Sequence, residues 1–206
     1  YDRLASRYTK ALARSMSNAK QVKAVTPLID GLPSTDGFDS GDGVSLFNTA
    51  HTTVSGTNVK NTLTTQADLN ETSLEQALID IAGMTDERGL RVAARGVKMI
   101  IPSANQFNAE RLMKSQGRTG TADNDINAVA SMGMVPQGYR VNNFLTDTDS
   151  WYIITDVPNG MKMFQRAALK TAMEGDFDTG NVRYKARERY SFGVSDYRGI
   201  FGCEGA

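Results

Sequence analysis

Residues 181–195 read NVRYKARERYSFGVS. The even positions Val182, Tyr184, Ala186, Tyr190, Phe192 and Val194 are apolar, broken only by Glu188. The odd positions Arg183, Lys185, Arg187, Arg189, Ser191, Gly193 and Ser195 are small or polar. Side chains alternate across a strand with period two, so this stretch predicts one half-buried strand of roughly 40 Å. That length approximately matches an element at the other end of the chain. In YDRLASRYTKALARSM and the residues after it, Tyr1, Leu4, Tyr8, Ala11, Leu12, Met16 and Ala19 recur at spacings of three and four. They predict an amphipathic helix from Tyr1 to about Ala24, interrupted at Pro27 and roughly 35 Å long. A long helix laid on a long strand makes an elongated layer rather than a compact globule.

Between these two elements the pattern is mixed. From Pro27 to about Gln66 the chain is rich in Gly, Asp, Ser, Thr and Asn and reads as a long loop with short strands. Thr72 and Glu75 form a capping-box pattern, and Leu74, Ala77, Leu78 and Ile81 mark one face of a helix ending before Gly89. VKMIIP (97–102) is a short buried strand, after which Ser103 can cap a helix through Phe107, Leu112 and Met113 to Gly117. GRTGTADNDINA (117–128) is a polar connection. YRVNNFL (139–145), WYIITDV (151–157) and MKMFQR (161–166) then read as three strands separated by turn residues.

Composition excludes several classes of function. The 206 residues suffice for one domain, or two small ones packed together, with a real core. Lys plus Arg equals Asp plus Glu at 23 each, so no global field draws the chain to nucleic acid or an anionic membrane. No apolar run approaches the ~20 residues of a membrane span, and no secretory signal pattern is present. A single cysteine, Cys203, allows no intrachain disulfide and fits a reducing compartment; among Gly202, Gly205 and the last residues it reads as an exposed, inert thiol. The chain begins with Tyr1 already in helical phase, which reads as a fragment of a longer protein.

No catalytic constellation emerges. His51 is the only imidazole, set in GDGVSLFNTAHTTVSG (41–56) among turn and edge-strand residues, and it reads as fixing a turn by hydrogen bonding. No GxSxG elbow exists; GVSDY has Tyr197 where the second glycine belongs. One His and one Cys far apart make no zinc site. GDGVSL lacks the third glycine of GxGxxG and has no strand before it, and no GxxxxGK[ST] occurs. The acidic groups Asp36, Asp39 and Asp42, Asp147 and Asp149, and Asp176 and Asp178 read as turn formers. In DFDTGNVRYKAR, Asn181 stands at the sixth position of a calcium loop and Arg187 at the twelfth, which breaks the pattern. Asn70-Glu71-Thr72 reads as a helix start rather than a glycosylation acceptor. No catalytic, metal or cofactor residue is assigned, and no cofactor is expected.

The order of the elements carries a resemblance. A long basic amphipathic helix precedes DGVSLFNTAH (42–51), followed by a helix, GVKMIIPSANQFNAERLM (96–113), GYRVNNFLTDTDSWYIITDV (138–157) and RYKARERYSFGVSDYRGIFG (183–202). In this order the chain resembles a tailed-bacteriophage major capsid protein of the Hong-Kong-97-type fold. It is most similar to the Mu-like major head subunit group, in which a loop of the form DG-x-x-LF-x-x-x-H follows the long helix.

The resemblance implies an α+β fold with a long spine helix, long strands in a peripheral domain and an axial α/β domain. Residues 1–72 would hold the spine helix with the peripheral loop and strands, 73–168 the axial domain, and 169–206 the return to the peripheral domain with the long strand. GRTGTADNDINA would lie in or near an axial loop. An N-terminal arm and extended loop precede the spine helix in that family and are absent here. The implied function is structural, not enzymatic: self-assembly into pentamers and hexamers of an icosahedral shell around double-stranded DNA, in a virion assembled in the host cytoplasm. Scaffold, portal and decoration proteins are implied partners, and the packaged DNA would lie in the lumen without sequence-specific binding.

Within this reading the basic stripes are candidate intersubunit surfaces: Arg3, Arg7, Lys10 and Arg14 on the first helix, and Arg183, Lys185, Arg187 and Arg189 on the last strand. Three other readings stand beside it: a cellular nanocompartment shell of the same fold, a hydrolase using His51, and a DNA-binding module using the basic stripes.

Overall fold

WYIITDV carries five residues without polar alternation before Asp156, the pattern of a strand covered on both faces. A computed structural model places that strand at the centre of the fold. It describes residues 2–35, 37–118, 125–175, 177–178 and 180–206, with the side chains of residues 2–5 excepted. Tyr1, Asp36, Asp176, Thr179 and residues 119–124 of the polar connection lie outside the described residues.

The elements in chain order are α1 (Asp2–Ile29), β1 (His51–Thr52), β2 (Asn58–Val59), α2 (Glu71–Ala82), β3 (Gly96–Ile101), α3 (Gln106–Lys114), α4 (Ala128–Met132), β4 (Tyr139–Val141), β5 (Trp151–Thr155), β6 (Met161–Gly175), β7 (Val182–Val194) and β8 (Ile200–Cys203). A mixed sheet in the order β4-β3-β5-β8 forms the centre, with β4 parallel to β3 and the other pairs antiparallel. Register divides the core. Met99, Ile153 and Phe201 share one row and face α2, α3 and α4, packing with Leu74, Ile81 and Leu112. Tyr152 and Gly202 share the next row and face the other way, toward Val25, Leu28, Leu32, Leu46 and Phe47.

That second face anchors the end of α1. The helix was expected to stop near Ala24, but it continues through Pro27 to Ile29. Proline removes one N–H and crowds the carbonyl four residues earlier, so its damage falls within a single turn. That turn is held from below: Val25 and Leu28 are buried, and the Tyr152 hydroxyl donates to the Leu28 carbonyl at 3.1 Å.

Gly202 shows how tightly this face is filled. A Cβ built there would stand 2.6 Å from the Phe47 ring. Because the ring is itself fully buried it has nowhere to move, and Gly202→Ala is expected to cost about 1–3 kcal/mol in a urea titration. A loss below about 0.5 kcal/mol would show that the ring relaxes.

Other expectations are corrected in detail. α2 is capped by Asn70, whose side chain accepts from the Ser73 N–H at 2.8 Å while the Ser73 hydroxyl accepts from the Asn70 N–H at 3.0 Å. The box is therefore Asn70/Ser73, not Thr72/Glu75, two residues earlier because Asn caps as well as Thr. Ser103 opens a 3-10 turn (Ser103–Asn105) and caps nothing; α3 ends at Lys114, and its Phe107 is 72% exposed. The five-residue α4 is too short to show a periodicity. Cys203 is fully buried in β8, its thiol donating to Gln66 Oε1 at 3.0 Å, and burial raises its pKa. The expected exposed thiol is wrong because the closing residues form a core strand rather than a tail.

The largest difference concerns β6. MKMFQR extends through AALKTAMEG to Gly175, and the 15-residue strand pairs antiparallel with β7 from Met161↔Val194 to Gly175↔Val182. Ala, Leu, Lys, Met and Glu favour helix, but cross-strand pairing along β7 overrides that preference. The result is a long two-stranded hairpin beside α1.

Candidate subunit-interface surfaces

Partners directly opposite in an antiparallel pair share a face, so the register of β6 and β7 assigns two faces to the hairpin. The even face carries Tyr184, Ala186, Glu188, Tyr190, Phe192 and Val194 with Met173, Thr171, Gln165, Met163 and Met161 from β6. α1 lies on this side: Lys20 Nζ meets Glu188 Oε1 at 2.6 Å and sits 5.2 Å from the centre of the Tyr190 ring. Glu188, the one break in the apolar alternation, is thus the counter-ion for a helix lysine. Ala186, Glu188, Tyr190, Phe192 and Val194 are half-buried, while Val182 and Tyr184 are exposed and Met173 is 72% exposed.

The odd face carries Arg183, Lys185, Arg187 and Arg189, opposite Glu174, Ala172, Lys170 and Ala167. All four cations are exposed. No carboxylate among the described residues pairs with Lys170, Lys185, Arg187 or Arg189. Lys170 and Arg187 stand directly opposite each other, an arrangement that costs an isolated hairpin roughly 0.2–1 kcal/mol. The sequence pattern contained half of this face. Lys170 was missed because its segment did not read as strand.

On α1, Thr9, Leu12, Met16, Lys20 and Ala24 form the half-buried stripe. At 100° per residue, Arg3, Arg7, Lys10 and Arg14 centre on the opposite side of the helix. Arg7, Lys10 and Arg14 are exposed, and the Arg3 side chain lies outside the described residues. The two predicted basic stripes are therefore not brought together: they cover the two outer faces of the α1–hairpin layer. The apolar side of α1 is also only partly covered, for Tyr8 is 69% exposed.

His51 is fully buried where the 41–61 loop meets the carboxyl-terminal strand. Its Nδ1 lies 2.6 Å from Asp42 Oδ2 and its Nε2 3.1 Å from Asn61 Oδ1. Its ring stacks on Tyr197 with centroids 3.9 Å apart, and Tyr197 in turn lies beneath the Arg198 guanidinium. Arg198 is buried and held by Glu87 and by the Thr85 carbonyl, 2.8 Å from its Nε. A hydrolase needs a ring nitrogen open to substrate. Here the ring is fully buried and both nitrogens face protein oxygens. Asn61, which the sequence reading passed over, joins the loop to the turn before β8: its amide nitrogen donates to the carbonyls of Leu46 at 2.7 Å and Tyr197 at 3.1 Å. A lone Asn in a Thr-rich loop gives no sequence signal for that role.

The family profile described as "Phage capsid protein" matches residues 1–202. The chain belongs to that phage capsid family. Two solved structures share its fold. The capsid of Myoviridae phage XM1 is 16% identical with a TM-score of 0.53, covering 98% of this chain and 65% of its own. A phage-related protein from Bordetella bronchiseptica RB50 is 11% identical with a TM-score of 0.53, covering 98% and 64%. The chain thus spans just under two thirds of the length of the structures it matches. No curated protein matches it. The mixed helix-and-sheet architecture, with its long helix beside long strands, is the capsid fold of this phage capsid family.

Proposed function

We propose that this chain is the shell-forming part of a major capsid protein, of the Mu-like major head group, that assembles in many copies into an icosahedral shell around double-stranded phage DNA. The observation carrying this reading is the α1–hairpin layer. A slender two-layer element is basic on both outer faces and leaves Tyr8, Met173 and Val182 uncovered, which suits contacts on two sides with neighbouring copies. Heterologous contacts of that kind close into rings, here pentamers and hexamers, when their rotations permit.

In this reading α1 is the spine helix. Residues 1–72 and 169–206 form the peripheral domain, with β6 and β7 as its long strands, and residues 73–168 form the axial domain, into whose sheet β8 returns. The subunit acts as a structural protein of the virion, assembled in the host cytoplasm, with scaffold, portal and decoration proteins as further partners and DNA in the lumen. Arg3, Arg7, Lys10, Arg14, Arg183, Lys185, Arg187 and Arg189 meet carboxylates of adjacent subunits.

Negative-stain electron microscopy of the full-length subunit tests the reading. Closed shells or hexameric sheets are expected; a monomer under every condition, added scaffold included, would overturn it. Nuclease-resistant DNA inside purified particles separates a phage head from a nanocompartment of the same fold.

A further inference from the structure

Phe177 stands at the tip of the β6–β7 hairpin and is 100% exposed. A phenylalanine has about 150–250 Å² of surface to bury, and none of the described residues covers this one. The turn does not call for an aromatic: Gly180, at a φ of +66°, supplies the backbone freedom that it needs. Residues 174–183 read EGDFDTGNVR, so the ring is carried on a tip with three carboxylates and one cation.

A hollow of the opposite character lies elsewhere on the chain. A cavity of about 700 Å³ opens between the last turn of α2, β2 and the loop at 83–91. Its lining includes the buried Val59 and Met84, Ile79 and Ala82 from α2, and the cations Lys60 and Arg91. Ile79 is 64% exposed, an apolar helix residue left facing solvent. Lys60 Nζ meets Asp80 Oδ2 at 2.9 Å, which engages the one carboxylate in the lining. Arg91 pairs with no carboxylate among the described residues. Its Nη1 lies 3.7 Å from where a Cβ on Gly83 would stand, so the guanidinium sits against the end of α2. The acids of the adjoining loop are occupied as well: Glu87 by Arg198, and Asp86 Oδ1 by the N–H groups of Arg88 and Leu90.

We propose that Phe177 of one copy seats in this cavity on a second copy, with Glu174 and Asp178 turned toward Arg91 and Lys60. The inference rests on the shell reading above and names one contact within it. The ring comes from another copy because its own cavity lies at the wrong end of the hairpin. At the hairpin's base Gly160 lies against Gly199, and the neighbouring Arg198 donates from Nε to the carbonyl of Thr85, a residue of the cavity lining. From there the fifteen residues of β6, at about 3.3 Å each, carry the tip roughly 45 Å along the strand. Knob and seat are different surfaces of one chain, so the contact is heterologous and repeats head to tail. An aromatic anchor entering a pocket with a charged rim is also the form in which a small interface concentrates its affinity.

The test places cysteines on knob and seat of the full-length subunit, Phe177→Cys with Ile79→Cys, and oxidises the protein mildly under assembly conditions. Both positions are exposed, so neither change disturbs the fold. A disulfide forms only where the two Cα atoms come within about 4.4–6.8 Å. The non-reducing gel is expected to show a ladder of dimers, trimers and higher multiples, while a mixture of the two single variants stops at dimers. Phe177→Cys with Phe107→Cys is the control for chance collision, since Phe107 is exposed on α3 and outside the cavity lining. No ladder from the Ile79 pair, or one no stronger than the control's, would overturn the proposal. Electron microscopy of the parent keeps the two readings apart. Shells without the ladder remove this contact and leave the shell; a ladder from a protein that builds no shells keeps the contact and removes the shell.

Discussion

Reversing Lys185, Arg187 and Arg189 to glutamate is expected to abolish particle formation while leaving the subunit folded. The three side chains sit on the odd face of β7, exposed and without a carboxylate partner among the described residues, and their Cβ atoms point away from α1. Exposed positions of this kind change stability by about 0.5 kcal/mol or less each. Reversal even removes the like-charge opposition of Lys170 and Arg187, placing a glutamate across from the lysine. Assembly is a different matter. A contact repeated at every subunit of a shell multiplies a small unfavourable term, and like-charge juxtaposition across an interface costs several kcal/mol. Sedimentation velocity and electron microscopy report particles, and circular dichroism reports the fold. Normal shells from the triple variant would remove these residues from the interface; an unfolded subunit would mean that the hairpin depends on them internally.

The second large effect is a matter of stability. Asn61→Ala is expected to lower unfolding free energy by about 3–5 kcal/mol, because it leaves the buried Leu46 carbonyl without its side-chain donor and the Tyr197 carbonyl with the Ile200 N–H alone. It also removes the acceptor for the Asn48 N–H and for His51. For a chain of this length the corresponding fall in melting temperature is roughly 10 °C. Urea titration reads the free energy directly. A loss under about 1 kcal/mol would mean that water replaces the amide, and the loop would then owe its position to Leu46 and Phe47 alone.

Much of this was legible in the sequence because it rests on periodicity. The alternation from Val182 to Val194 gave β7 and identified its outer cations; the three-and-four spacing gave α1; WYIITDV read as a strand and is β5. What escaped notice rests on contacts between distant segments. AALKTAMEG has helical preferences and becomes strand because β7 lies beside it. Cys203 looked terminal and is core because Trp151 stands opposite it in the sheet. Glu188 broke a pattern until Lys20 completed it, 168 residues away in sequence. The His51 cluster combines residues from four places in the chain, none unusual where it stands.

The position of β8 has a consequence for timing. The sheet's last strand is made of residues 200–203, and it pairs with β5 while Gly202 closes over Phe47. Tyr152 reaches back 124 residues to Leu28, and Cys203 reaches back 137 to Gln66. Contacts of such separation fold slowly, since long loops must close before they are rewarded. A ribosome that has made the helix and hairpin has not yet made the strand on which both core faces depend. The sheet that seats the end of α1 is therefore completed only once residues 200–203 have left the exit tunnel.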